Sequence, residues 1–459
     1  MPELPQLDEQ VLSDWLVQQR WFGAKASQVS ELGVLTAVAL RDNEPPLVAV
    51  ALLEARFPAG THELYQVLLG ARPVDEGWER GVIGSAGEWT LYDAMVDPEA
   101  TKVLGRLLGE GAEVYGEEGV VRFRWLDESE RPGDDVRSIG AEQSNSSIVF
   151  GDRLILKAFR KVEAGDNPEL EMLRFLQEHG FANIAPLAGW YDFNGRLMDT
   201  TLGVMQAFVR DGRDGWELAL DEIGDPGLLD NLHELGEVTG RMHSVLASDL
   251  TDPAFAPEDP GDEGLSLIVA TIDEQIERVF VDLPDDGPTA EILGRGEEIR
   301  DRLQMLSHVG VGGKLIRHHG DYHLGQTMLS GRGWVILDFE GEPARPLLER
   351  RRKRSPLRDV AGMLRSFAYV ASASAIHRGT PAPEGCERRA REAFLDGYFS
   401  TVEPTLLPAG QAATDKLLQI FELEKAVYEL RYEINNRPDW VGIPVAGIIR
   451  LLEDEEEPA

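Results

Sequence analysis

The stretch from Ile316 to Gln326, IRHHGDYHLGQ, brings three histidines, a carboxylate, two glycines and an amide into eleven residues. Three chemistries use such residues. Zinc binding by His318, His319, Asp321 and His323 needs ligands that converge on one point. Adjacent histidines on a strand face opposite sides, and no cysteine stands nearby, so the metal reading is weak. Just upstream, Gly310-Val-Gly-Gly-Lys314 suggests a phosphate loop, but a Walker loop requires Ser or Thr after the lysine and a helix beyond it. Here Leu315 follows, on an expected strand. Phosphoryl transfer remains. It needs a carboxylate to accept the proton of the acceptor hydroxyl, and a further ligand close by to hold magnesium. Asp321 supplies the first and Gln326, after four intervening residues, the second.

The spacing of His319, Asp321 and Gln326 is that of a protein-kinase catalytic loop, with Gln in place of Asn. A second metal-binding carboxylate should follow a short hairpin. Gly331-Arg-Gly333 reads as the turn, Trp334 to Leu337 as a buried strand, and Asp338-Phe-Glu340 stands where kinases have Asp-Phe-Gly. The bland alternative is that Asp321 and Asp338 merely cap turns. The order of the two motifs, with the hairpin between them, favours the catalytic reading.

That reading makes demands upstream. A strand lysine must reach the α- and β-phosphates and pair with a helix glutamate. Lys157 lies inside the apolar segment LILKAF, where an unpaired ammonium costs several kcal/mol. Its partner is Glu171 or Glu169, on a helix from Asn167 to His179. The usual Gly-rich loop is missing. Gln143-Ser144-Asn-Ser146-Ser147 stands in its place, and Ser144 and Ser146 are candidates to cover the phosphates. The stretch from Gln206 to Val209, with Phe208 inside it, is the expected hinge whose backbone reads adenine.

These residues require elements to hold them. Asp8 to Gln19 has helical apolar spacing, and Leu32–Leu40, Leu47–Arg56 and Glu63–Leu69 read as strands. Asp127 to Asp135 is a polar loop or subdomain join. Ser146–Phe150 and Leu154–Phe159 form a hairpin across Gly151-Asp152. Asn167 caps the following helix, Pro168 opens it, and Gly180 ends it. Leu202 to Val209 is a further strand. From about Trp216 onward the pattern is mainly helical, apart from strands near Lys314–His318 and Gly333–Leu337. Strand-rich then helix-rich order predicts two lobes with a cleft.

The chain of 459 residues carries a formal net charge of −36. Such a surface repels nucleic acid and anionic membrane. The single cysteine, Cys386, excludes an internal disulfide and fits a reducing cytoplasm. The start, MPELPQLDEQ, is not expected to be a signal peptide, and the apolar run Leu47–Leu53 is too short to span a bilayer. Glu453 to Glu457 reads as a solvated acidic end. Arg350 to Arg354 is the one basic cluster, expected to pair with the chain's own acidic surface. His233 and His243 read as packing or surface residues.

The stretches QQRWFGAK, IGAEQSNSSIVFGDRLILKAF, HHGDYHLGQ, DFEGEPARPLLERRRKRSPLRDVAGMLRSF and EKAVYELRYEINNRPDW resemble the actinobacterial maltokinase family, relatives of the aminoglycoside phosphotransferases. The resemblance runs along nearly the whole chain. It implies an α+β, bilobal, protein-kinase-like fold. The expected parts are an N-terminal cap subdomain (1–90), an intermediate subdomain completing the β-rich N-lobe (91–207) and a mainly helical C-lobe (208–459). It implies ATP and Mg2+ as cofactors and maltose as acceptor, phosphorylated at its anomeric hydroxyl to maltose 1-phosphate for α-glucan synthesis. A trehalose-converting enzyme is the implied partner. It also turns attention to the helix Phe421–Ile434. Leu423, Val427, Leu430 and Ile434 form an apolar stripe, and Lys425, Tyr428, Glu429 and Tyr432 lie opposite, facing solvent or lining the cleft. The match to EKAVYE favours the cleft. Candidate sugar contacts are therefore Lys425, Tyr428 and Glu429, with His319, Glu340, Tyr369 and Trp440. The alternatives are a kinase for another sugar, such as glucosamine, and a non-catalytic kinase-like scaffold.

Overall fold

The computed structural model describes residues 8–23, 29–126, 131–139, 144–261, 264–281, 283–307, 312–343, 345–379 and 381–453. Among the features above, Ala24-Lys25, the start of the polar join at 127–130, residues 140–143 before Ser144, Gly310-Val311 and the acidic end at 454–457 lie outside these. The chain divides into two compact units. One comprises residues 1–177 and 185–210, the other 178–184 and 211–459.

The first unit holds two antiparallel sheets. In one, the strands run in the order Glu31–Arg41, Leu47–Arg56, His62–Pro73, Trp89–Asp93 and Val82–Ala86, and Lys161–Val162 joins His62–Pro73 as well. Leu47–Arg56 is paired on both edges and its first seven residues are buried. Its run of apolar residues without alternation reflects a strand covered on both faces. The helix Glu9–Leu16, capped by the Asp8 carboxylate, packs Leu12 and Leu16 beside Phe22 and Tyr65. The expected subdomain boundary at residue 90 would cut through Trp89–Asp93. That strand pairs with His62–Pro73 from Pro73 opposite Trp89 to Leu69 opposite Asp93, so the sheet runs past the boundary.

The second sheet has the order Glu113–Tyr115, Gly119–Trp125, Leu187–Gly195, Asp199–Ala207, Leu154–Phe159, Asn145–Phe150 and Val136–Ile139. The expected hairpin forms around Gly151, whose φ of 60° suits a residue without a side chain. Asn167 accepts from the Glu169 amide at 2.8 Å and so caps the helix Pro168–Glu178. The two sheets are pinned together by buried Gln66. Its amide donates to the Phe159 and Leu202 carbonyls, both at 2.8 Å, and accepts from the Tyr191 hydroxyl at 2.8 Å.

The second unit is mainly helical. Its long elements are Pro226–Leu246, Gly264–Val281, Leu357–Arg378, Cys386–Thr401 and Gln411–Asn436. A small sheet, Arg213–Asp214, Thr327–Ser330 and Gly333–Ile336, stands among them. The strand expected at Lys314–His318 is not formed. Leu315 and Ile316 make only isolated bridges, to Glu258 and Arg354, because loops rather than a neighbouring strand supply their partners. The helix Leu357–Arg378 passes close under the catalytic-motif loop. A Cβ at Gly362 would lie 2.6 Å from the Tyr322 carbonyl, so only glycine allows this approach. No described helix is long and apolar enough to cross a membrane.

Candidate active site

The His-Gly-Asp loop is anchored from beneath. Asp359, in the first turn of Leu357–Arg378, accepts from the amides of His319 at 2.7 Å and Gly320 at 2.9 Å. His243 donates to the same carboxylate through Nε2 at 3.1 Å, and its Nδ1 meets the Tyr398 hydroxyl at 3.1 Å. Burial alone would push the Asp359 carboxyl up. The neighbouring histidines, His318 and then His243, outweigh that and hold it below the usual carboxylate range. His243 is thus a fully buried packing residue, whereas His233 is half-buried beside Asp396.

His319 has its own place in this loop. Its Nε2 lies 2.8 Å from the Leu337 carbonyl, which can only accept, so the proton sits on Nε2. Its Nδ1 then accepts the Asp321 amide at 3.3 Å. With 1% of its surface exposed, His319 shapes the loop and does not reach an acceptor, contrary to expectation. His323 is spent on the Gly325 amide at 3.1 Å. The three histidines therefore do not converge on a metal.

Asp321 itself is half-buried and faces Lys425, whose Nζ lies 3.5 Å from Oδ1. Burial works against the lysine's charge, but Asp321, Glu342 and Glu429 outweigh it and hold the ammonium above its ordinary range. Asp321, Lys425 and Tyr428 line one cavity with Glu342, Arg345 and Arg354. Tyr428 bonds to Glu342, and burial followed by that carboxylate pushes its phenol up. A carboxylate anchored at the rim of a polar cavity can accept the proton of a hydroxyl bound there.

After the hairpin Thr327–Ser330/Gly333–Ile336, the chain turns sharply. Asp338 has φ 61°, in the left-handed region that costs a non-glycine residue about 1–3 kcal/mol and is found most often at functional sites. The Gln326 amide donates to Asp338 at 3.1 Å, and a Glu340 carboxylate oxygen lies within 4.8 Å of one from Asp338. Two carboxylates and an amide oxygen, all hard donors, fit a magnesium ion. Glu340, expected as a sugar contact, belongs by position with this pair, and the Arg350 guanidinium stands 3.9 Å from it.

Three other sugar candidates are placed elsewhere. Glu429 is buried in an ion pair with Arg365, whose Nε and Nη2 reach one carboxylate oxygen at 3.0 and 2.8 Å. Tyr369 donates to Glu433 at 3.0 Å and stacks on Trp440 with ring centroids 5.9 Å apart. Trp440 thereby staples the helix end. Of the face expected opposite the apolar stripe of Phe421–Ile434, Lys425 and Tyr428 line the cavity and Tyr432 is exposed, and only Glu429 departs. Glu422 and Glu433 on the same helix are buried as well, against Arg391 and Arg450, and against Arg437.

The nucleotide candidates lie in the first unit. Lys157 is buried and its Nζ meets Glu169 at 2.6 Å. Glu169, not Glu171, is therefore the partner; it is the residue whose amide the Asn167 cap receives. Ser147 stands directly opposite Lys157 across the hairpin, and Ser146 opposite Ala158. Cross-strand pairs share a face, so Ser147 rather than Ser146 sits on the lysine side. Ser146 accepts from Arg160 at 2.7 Å. Ser144 is exposed just before the strand and receives the Asn145 amide at 3.3 Å. The Gln206 side chain donates to the Ala185 carbonyl at 3.2 Å, and the Phe208 amide to the Arg153 carbonyl at 2.6 Å. That amide of the expected hinge is thus already spent within the unit, while the Phe208 ring lies under Arg137.

Two sheet-rich layers of strand and a helical unit carrying an anchored Asp321 loop define a class. The whole chain superposes on a glucosamine kinase in complex with glucosamine, ADP and inorganic phosphate. The TM-score is 0.69 at 19% identity, with 98% of this chain and 100% of that chain covered. A second glucosamine kinase crystal form gives 0.71 at 19%, covering 97% and 100%. At that identity the likeness defines the fold, which is kinase-like.

Residues 135–401 match the phosphotransferase enzyme family, and the chain belongs to it. Residues 15–97 match the maltokinase N-terminal cap domain. Two relatives are glucosamine kinases. The one from Mycolicibacterium smegmatis is 27% identical over 403 residues, 83% of this chain and 92% of the relative. The one from Streptacidiphilus jiangxiensis is 26% identical over 334 residues, 69% and 74%.

Asp359, Arg365 and the position of Glu340 beside Asp338 escaped sequence reasoning. The signal for Asp359 and Arg365 was present: each is a charge inside the apolar run LRDVAGMLRSF, where it must find a buried partner.

Proposed function

We propose that this phosphotransferase carries the γ-phosphoryl group of ATP to the anomeric hydroxyl of maltose, giving maltose 1-phosphate. The observation that carries the reading is the match of residues 15–97 to a maltokinase cap on a chain whose Asp321 is held at a polar cavity. Asp321 accepts the hydroxyl proton. The freed oxygen bonds to the γ-phosphorus, the bond from that phosphorus to the bridging oxygen breaks, and ADP leaves with the electron pair. Lys157, fixed by Glu169, holds the nucleotide phosphates. Magnesium, held by Asp338, Gln326 and Glu340, would supply positive charge to the phosphate oxygens. Lys425 orients Asp321. On this reading the work is cytoplasmic, its product feeds α-glucan synthesis, and a trehalose-converting enzyme is the natural partner.

The second reading, glucosamine as acceptor, is favoured by the names of both relatives. The cavity does not choose between the two acceptors by charge, because Asp321, Glu342 and Glu424 line it together with Arg354, Arg358 and Lys425. A panel of sugars with Mg-ATP, followed by ADP release and 31P NMR of the product, decides. Phosphorylation at C1 of maltose is expected. Preferential turnover of glucosamine would move the reading to that acceptor, and nucleotide binding without turnover on any sugar would make the chain a scaffold.

A further inference from the structure

The basic cluster Arg350–Arg354 partly follows the expectation of self-pairing: Lys353 meets Glu258 at 2.7 Å. Arg354 does not. Its half-buried side chain lines the cavity beside Asp321 and has no carboxylate partner among the described residues. Two residues that line the same cavity each carry a buried polar atom that is unspent. Arg358 gives its Nη1 to Glu424 at 2.8 Å, but its buried Nε has no hydrogen-bond partner. The buried Nδ1 of His318 has none either.

The carboxylates around this cavity are committed elsewhere. Glu342 holds Arg345, Glu424 holds Arg358, Asp321 faces Lys425 and Asp359 takes the loop amides. Glu349 also lines the wall, and its charge acts on Arg345. Burial, then Arg358 and Arg345, push the Arg354 guanidinium down to about 10, and Glu424 working the other way does not offset them. Burial pushes His318 down to about 3, so its ring is neutral and able to donate. Neutral hydroxyls could use the free N–H groups, but they would not relieve the crowding of like charge. An oxyanion does both.

We propose that Arg354, Arg358 and His318 form an oxyanion subsite in the wall of the acceptor cavity, built for a phosphate or carboxylate group. The subsite rests on the reading of this cavity as the acceptor pocket. The anion is either free or carried on a sugar.

Isothermal titration of the full chain with inorganic phosphate reads the subsite directly. It is run without nucleotide or magnesium, at constant ionic strength, with chloride as control. Saturable phosphate binding is expected, weakened at least about tenfold by Arg354→Gln and less by Arg354→Lys. Circular dichroism confirms that both variants fold, and the lysine variant carries the comparison if the glutamine variant does not. Glucose 6-phosphate binding more tightly than both phosphate and glucose would place the anion on a sugar; equality with phosphate would make it a free ion. Absence of saturable phosphate binding by the unmodified chain, or equal binding by both variants, overturns the proposal. So does loss of maltose binding in Arg354→Gln when phosphate is ignored, which would make the site one for neutral hydroxyls. No turnover is required, so failure here leaves the phosphotransfer reading standing.

Discussion

Lys157 and Glu169 form a buried pair in which removal of either partner strands a charge. Glu169→Ala should cost about 3–5 kcal/mol in urea unfolding and raise the ATP concentration for half-activity. Glu171→Ala, at a half-buried position one residue past Leu170, should cost much less on both readouts. Equal effects would reinstate Glu171. His318 makes a second residue-scale prediction. Its folded pKa is near 3, and an unfolded histidine titrates near about 6.5. Between these values the unfolded state binds the extra proton, so stability is full above about pH 6.5 and falls as pH drops towards 3, by up to about 1.4 kcal/mol per unit. Burial lowers His323 as well, which steepens the slope. Urea unfolding at pH 7 and pH 5 measures it, and His318→Gln should flatten the difference. An unchanged slope in that variant would remove His318 from the account.

At the scale of elements, the helix Gln411–Asn436 shows what pattern can and cannot give. Its apolar stripe was legible, since Leu423, Val427 and Leu430 are buried as their spacing implies. Its opposite face was legible only in part, since Lys425 and Tyr428 line the cavity and Glu429 does not. A polar side chain reads as solvated or catalytic until its partner is known, and the partner of Glu429 is Arg365, which stands 64 residues earlier in sequence. Long-range ion pairs leave no local period. The strands Leu47–Arg56 and Leu154–Phe159 were legible to the residue because continuous apolar runs ended at turns. Ser146 was misplaced because the face of a strand depends on register, and a shift by one residue changes the side. Glu429→Ala should accordingly lose about 3–5 kcal/mol of stability. Lys425→Met, which keeps the length and removes the charge beside Asp321, should instead lower kcat/KM for the sugar by about one to two orders of magnitude with little change in melting temperature. A stable Glu429→Ala enzyme with a selective loss of sugar use would restore that residue to the sugar site.

For the whole molecule, a formal charge of −36 means that folding works against self-repulsion. Sodium chloride between 0.05 and about 0.5 M shortens the Debye length from about 14 to 4 Å and should raise the melting temperature. A falling melting temperature would mean that the buried and surface ion pairs outweigh the repulsion. The order of elements, strand-rich then helical, was legible from the sequence, and the spacing of Asp321, Gln326 and Asp338 is what nominated them as candidates. The second hairpin of the cap sheet, Val82–Ala86 with Trp89–Asp93, was not, because short strands carry few residues in which alternation can be seen. The account depends most on Asp321 as the base. Rate and binding measured separately in Asp321→Asn test this most directly, with kcat on maltose from ADP release and the Kd values of ATP and maltose from titration. The account predicts a kcat lower by about two to four orders of magnitude with both Kd values unchanged. A variant that turns over at near-normal rate would contradict it.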